Sequence, residues 1–311
     1  MKPPLSRLVL FLSLCLPLGG VPLAAQPRDG GRGAMGEAAV SLEGVLEWDR
    51  LEMSVRVILD LAGTGIRLPA GRGRAEALLA DAFPALIEPA LLGVQVDSSS
   101  TIEDMIHRGE LSLQDLDAFS ALSRRVPPVL TPDLGSLWAR YTLNLAGLGS
   151  AFIRHTRPRT AVPPLIPVPA REYTGIIIIA DERLPVHGQS TAARLEPCLF
   201  PKVWDSDMNL VFDRNMIDPA VGKERGLVRY VSRDRITRAT PTALDEDLEA
   251  LVGDDPLRII ARGIFGLVPT DPIIHREDAL IIQANESNLG LLRAGRVVLV
   301  VDRGLLRRDI P

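Results

Sequence analysis

The chain has 311 residues, and its 35 Lys and Arg against 39 Asp and Glu give a formal net charge of -4. That mildly acidic balance lacks the basic footprint of a nucleic-acid binder. With 46% hydrophobic residues, a chain of this length can bury a core without disulfide staples.

The first residues read as a secretory signal peptide over residues 1–25. Lys2 and Arg7 supply positive charge, residues 8–18 are apolar, and Leu23-Ala24-Ala25 offers a small-residue cleavage site before Gln26. Pro17, Gly19, Gly20 and Pro22 interrupt the apolar run before it reaches the roughly 20 residues of a membrane span. Lipidation at Cys15 is the alternative, but the bulky Leu14 before it is not the usual small residue. Cleavage leaves Cys198 as the remaining cysteine, so no intrachain disulfide is expected.

Residues 26–40 hold a Gly/Arg-rich stretch and read as a flexible leader. Val55, Val57, Leu59 and Leu61 then alternate with Ser54, Arg56, Ile58 and Asp60, the pattern of a half-buried strand with one lapse at Ile58. Residues 41–48 are its expected hairpin partner. Ala75, Leu78, Leu79, Ala82 and Leu86 follow helical spacing, and Pro84 and Pro89 are expected to kink or split that helix. Asp97-Ser98-Ser99-Ser100-Thr101 is a loop or cap before a short helix from Ile102, and residues 113–122 form another helix. Tyr141, Leu143 and Leu145 alternate as a strand. Pro158, Pro163, Pro164, Pro167 and Pro169 mark residues 158–169 as a semi-rigid spacer. It separates an N-terminal domain over 41–157 from a C-terminal domain over 170–306.

Two apolar runs dominate the second domain. Ile176-Ile177-Ile178-Ile179-Ala180 ends at Asp181, and Val297-Val298-Leu299-Val300-Val301 ends at Asp302. Neither alternates, so each is a strand buried on both faces and central in its sheet. Residues 199–203 and 209–213 read as a hairpin around Asp205-Ser206-Asp207, and residues 227–232 as a more peripheral strand. Thr240 caps a helix starting at Pro241, with Leu244, Leu248 and Leu251 on its apolar face. A short helix near Glu277 and a turn near Gly295 precede the Val297 strand. The fold class is α+β: small mixed β-sheets packed with helices, in two halves joined by the Pro-rich spacer.

Candidate chemistry is sparse. Asp205 and Asp207 resemble the acidic pair that holds a divalent metal in some glycosyltransferases, but such patterns also build turns. His107, His155, His187 and His275 are scattered, without metal-ligand spacing. Ser190, His187 and Asp181 lie in one stretch without a nucleophile elbow. Cys198, between Pro197 and Leu199, has apolar and acidic neighbours and reads as a packing residue. The pairs Arg124-Arg125 and Arg307-Arg308 read as solvated surface, with lipid headgroups or acidic glycans as the alternative contact. No catalytic residue, cofactor site or metal site is assigned. Arg225, Arg229, Tyr230 and Arg233 stand as a candidate interaction edge, because an edge strand offers unpaired backbone groups to another chain.

Several segments together carry a resemblance. Tyr173-Thr174-Gly175 before the isoleucine run, then Pro197-Cys198-Leu199-Phe200-Pro201-Lys202-Val203, then Arg296 to Asp302, resemble a bacterial envelope superfamily. It comprises small outer-membrane lipoproteins and flagellar-assembly lipoproteins. Ala75-Glu76-Ala77, Val96 to Ile102, Arg262-Gly263-Ile264-Phe265-Gly266 and Pro269-Thr270-Asp271-Pro272 fit the same pattern. The usual arginine straight after the aspartate-alanine pair is absent at Ala180-Asp181-Glu182-Arg183. The resemblance implies an exported, non-catalytic structural or interaction protein, periplasmic or outer-membrane-associated, in a ring or multiprotein assembly. Its partners would be envelope proteins or further copies of itself. The alternatives are an exported metal-dependent enzyme using Asp205 and Asp207, and a periplasmic glycan- or lipid-binding module.

Overall fold

The computed structural model describes residues 39–160, 168–236 and 245–310. The signal-peptide segment, Cys15, nearly all of the leader, Pro163, Pro164, Pro167 and the Thr240-Pro241 cap lie outside the described residues.

In the first half, Val40–Glu47 and Glu52–Asp60 form an antiparallel hairpin, with Val40 opposite Leu59 and Glu47 opposite Glu52. Ser136–Asn144 pairs with the other side of Glu52–Asp60 along its whole length. Alternation places Met53, Val55, Val57 and Leu59 in the core. The helix Arg72–Leu92 covers this face with Ala75, Leu79, Phe83, Ile87 and Leu91, all buried and each one turn after the last. Phe83 stacks on Tyr141 with ring centroids 3.9 Å apart.

Of the expected kink or split at Pro84 and Pro89, the split does not occur: both prolines lie inside one continuous helix. Each proline costs roughly 3 kcal/mol in a helix interior. Burying a large apolar side chain returns roughly 1.5–3 kcal/mol, and this helix buries four besides Ala75, so tertiary packing overrides propensity. Capping boxes start the next two helices: Thr101 with Asp104 at Ile102–His107, and Ser112 with Asp115 at Leu113–Ala121.

In the second half, Arg229–Val231, Val297–Val300, Ile176–Ile179 and Leu257–Ile260 lie side by side in that order, all parallel. The two apolar runs take the central places, as their lack of alternation requires. Ile177, Val231, Val298 and Val300 pack against Leu248 and Val252 of the helix Glu246–Val252. The opposite face, with Ile176, Ile178, Tyr230, Val297 and Leu299, joins the core shared with the first half. The helix sits so close that a Cβ on Gly175 would lie 2.4 Å from the Cβ of Val252, which explains the glycine there.

A smaller mixed sheet runs in the order Leu210–Phe212, Val203–Asp205, Asp271–Ile274, Gly263–Phe265. It contains the expected hairpin around Asp205 to Asp207.

Strand pairing and backbone hydrogen bonds bind the halves. Arg307–Ile310 returns to the first sheet and pairs antiparallel with Val40–Glu47, Ile310 opposite Gly44 and Arg307 opposite Glu47. The amides of Leu199 and Phe200 donate to the carbonyls of Gln95 and Val96 at 3.0 and 2.8 Å, and the amide of Val268 donates to Ser98 O at 3.0 Å. The serine-rich turn of the first half thus adds itself to the second, and residues 36–311 cluster as one compact unit. No helix among the described residues is long and apolar enough to cross a membrane.

Candidate functional site

The acidic pair is built into its own turn. Asp205 is buried, and its Oδ1 accepts from the amides of Asp207 and Asn209 at 2.9 and 2.7 Å. Its Oδ2 accepts from Asn209 Nδ2 at 2.9 Å. Asp207 ion-pairs with Arg276 at 2.5 Å. The acidic pattern, for which a metal pair was the alternative to a turn, is a hydrogen-bonded turn, with Met208 at φ 62°. Among the described residues, no group of three or more His, Cys, Asp and Glu is placed to hold a metal ion.

Cys198 is fully buried, and burial is the first cause that pushes its thiol far above the usual range, followed by the nearby Asp271. Its backbone is held by Tyr230, whose hydroxyl donates to Cys198 O at 3.0 Å and accepts from Cys198 N at 3.1 Å. Beside it, Asp271 is wholly buried. Its Oδ1 accepts from the Lys202 amide and Thr270 Oγ1, both at 3.0 Å, and its Oδ2 accepts from Trp204 Nε1 at 3.3 Å. Burial pushes this carboxyl above its ordinary range, and those donors pull it back. The Lys202 amide and Asp271 belong to two separate sequence blocks, so one carboxylate stitches them together. An aspartate opening the apolar run Asp271-Pro272-Ile273-Ile274 was the signal for this buried position.

Asp181, at the end of the central strand, takes a two-pronged ion pair from Arg233, which holds its carboxyl below the usual range. The ring of His187 lies 6.0 Å from that of Phe265. Among the described residues no hydrogen bond joins Asp181, His187 and Ser190, so the triad does not assemble. His155 Nε2 bonds Ile217 O at 2.9 Å. Arg125 reaches Glu76 O at 3.3 Å, while Arg124, Arg307 and Arg308 are exposed.

The candidate interaction edge divides. Arg229–Val231 is one of the two edge strands of the parallel sheet, as expected for a peripheral strand. Tyr230, however, is a core residue: its ring meets Trp48 edge-on at 6.2 Å, and its side chain offers nothing to a partner. Parallel pairing with Leu299 turns it inward, onto the face shared with the first half. Arg233 is engaged by Asp181 and Glu182.

Arg225 and Arg229 do come together. They line a groove of about 380 Å³ between the halves, walled by Arg50, Leu51 and Asn144 on one side and by Val228, Asp247 and Leu251 on the other. Arg229 is half-buried, and burial lowers its pKa ahead of any charged neighbour. Arg225 is exposed and lies 3.8 Å from Glu224.

Comparison with known families follows the same division. Residues 39–151 match the family model of the N-terminal domain of Treponema pallidum Tp0624. Residues 175–303 match the model of the second domain of that protein. The chain is similar to Tp0624 in both halves. The two matches keep Tp0624's domain order, and the stretch between them, 152–174, contains the Pro-rich segment. The second match stops short of Arg307–Ile310, the strand that completes the first half's sheet. No curated protein matches the chain.

Proposed function

We propose that this protein is an exported, non-catalytic component of the cell envelope that works by contact, with itself or with other envelope proteins, in a ring or multiprotein assembly. The observation that carries the non-catalytic part of this reading is the Tyr230–Cys198 contact beside Asp271. Residues in the blocks that resemble the envelope superfamily tie the fold together there. Cys198 and Asp271 face partners from their own chain, as Asp205 does in its turn, which is the arrangement of a scaffold. A nucleophile or metal ligand needs an accessible lone pair, and these groups direct theirs inward. The signal-peptide pattern of residues 1–25 and the envelope resemblance support the address, periplasmic or outer-membrane-associated.

The test is crosslinking in the native envelope, with intact-mass analysis of the recovered chain. The expected result is a chain starting near Gln26 that crosslinks to itself or to envelope proteins. A strictly monomeric protein that recovers no partner overturns the contact reading. A divalent-metal-dependent turnover abolished by Asp205→Asn overturns the non-catalytic one.

A further inference from the structure

The groove between the halves combines charge with an apolar floor. Leu51 and Val228 are buried at its base, and Leu251 is half-buried beside them. Arg50, Arg225 and Arg229 bring three positive charges to its lining, against Glu224 and Asp247. Among the described residues, Arg229 makes no ion pair. The acidic groups whose fields reach it are Asp49 and Asp247, and Arg50 and Arg235 oppose its charge. Arg225 and Arg50 have only long, exposed ion pairs, at 3.8 and 4.0 Å from Glu224 and Glu47.

A half-buried guanidinium carries a desolvation cost that a carboxylate partner offsets, and its planar fork suits a carboxylate in two-point contact. The wall facing it is fixed in advance. Leu51 holds a positive φ of 50°, and a Cβ on Gly226 would lie 2.6 Å from its Cδ1. A non-glycine residue in that region is retained where its surroundings over-determine it.

We propose that this groove is the contact site for an acidic peptide segment of a partner protein. A carboxylate is received by Arg229, with Arg225 and Arg50 at the rim, and a neighbouring apolar side chain sits on Val228 and Leu251. Charge complementarity argues for this occupant. Glu224 and Asp247 in the lining disfavour a dianionic phosphate, while a single carboxylate meets a net positive wall. The volume, about 380 Å³, is near the lower end of small-ligand pockets and fits one or two side chains of a peptide laid across it. The inference rests on the reading that the protein works by contact and adds the chemistry of the contact.

The probe is a labelled peptide with one glutamate flanked by leucines, titrated into the full mature chain by fluorescence anisotropy. Its glutamine counterpart and inorganic phosphate are the controls. Expected is salt-sensitive binding that weakens by about tenfold or more in Arg229→Gln, as for a truncated charge pair. Ala250→Glu is the second variant. It changes an exposed residue of the lining, leaves the core untouched, and should abolish binding. Unchanged affinity in the folded Arg229→Gln or Ala250→Glu protein overturns the proposal, as does equal binding of the glutamine peptide. Displacement by inorganic phosphate at concentrations that leave the ionic strength unchanged assigns the groove to a free anion and overturns the peptide occupant. A protein that crosslinks partners in its envelope yet never binds the probe refutes this site and leaves the contact reading standing.

Discussion

The hydroxyl of Tyr230 serves both backbone groups of Cys198, donating to its carbonyl at 3.0 Å and accepting from its amide at 3.1 Å. A side chain from the edge of the parallel sheet thereby fixes the loop that enters the smaller sheet. Tyr230→Phe keeps the ring and leaves both Cys198 groups buried without their partner. Each orphaned group costs roughly 1–3 kcal/mol, so the expected loss is about 3 kcal/mol in denaturant unfolding. A change under about 0.5 kcal/mol would mean that water reaches the loop.

Cys198 should be chemically silent while the protein is folded. Burial disfavours its thiolate, the form that attacks alkylating agents. In a chain beginning at Gln26, which holds Cys198 alone, iodoacetamide at about pH 8 should leave the native mass unchanged and in urea should add one equivalent. Cys198→Ala should cost roughly 1–2 kcal/mol, in line with a small core truncation. Rapid labelling of the native chain would contradict the burial.

Asp271→Asn should be destabilising although it removes a buried charge. The carboxylate receives the Lys202 amide, Thr270 Oγ1 and Trp204 Nε1, and an asparagine amide turned towards any of them sets donor against donor. The expected cost is roughly 2 kcal/mol at neutral pH. The folded-state pKa of Asp271 is raised above 3.8. Its contribution is therefore full below that unfolded value and declines as pH rises through the raised one. The gap between wild type and variant should widen as pH falls from neutral towards 4, read from urea midpoints. A gap that narrows with acid would reverse the assignment.

Asp181 behaves in the opposite sense. The hydrogen bonds from Arg233 hold its folded pKa below 3.8. Its contribution is present above the unfolded value and is lost as pH falls through the lowered folded one. Because the Arg233 side chain is 48% exposed, solvent screening keeps the effect below about 1 kcal/mol. Asp181→Asn should flatten the acid limb of the stability profile and change little at pH 7. A large loss at neutral pH would show that the pair orders the strand end as well.

Much of this fold was legible where one local pattern decided the outcome. The alternation through Val55, Val57 and Leu59 named the first hairpin, and the unalternating Ile176 and Val297 runs named the two central strands. The segment ending at Thr101 announced its helix as a cap, whereas the capping box at Ser112 was not read from the sequence. Pairings set by distant partners were not legible. Leu257–Ile260 is interrupted by Arg258 and Asp271–Ile274 opens on an aspartate and a proline, so neither reads as an apolar run, and Arg307–Ile310 is three-quarters charged. Tyr230 was misplaced because an edge strand flanked by arginines resembles a surface, and only its pairing with Leu299 turns the ring inward. The groove escaped because Leu51 and Arg229 are far apart in sequence and meet only once the halves dock.

The return of Arg307–Ile310 to Val40–Glu47 also sets an order of events. The strand that flanks the first hairpin is synthesised after every other strand of its sheet and, for an exported chain, crosses the membrane after them. Until it arrives, Gly44 to Glu47 present an open backbone edge to any strand nearby. The first half emerges as a domain with a vacancy, and Arg307–Ile310 must win that place against neighbouring strands. Separating the halves at the Pro-rich segment would therefore yield an N-terminal piece that seeks a strand from elsewhere.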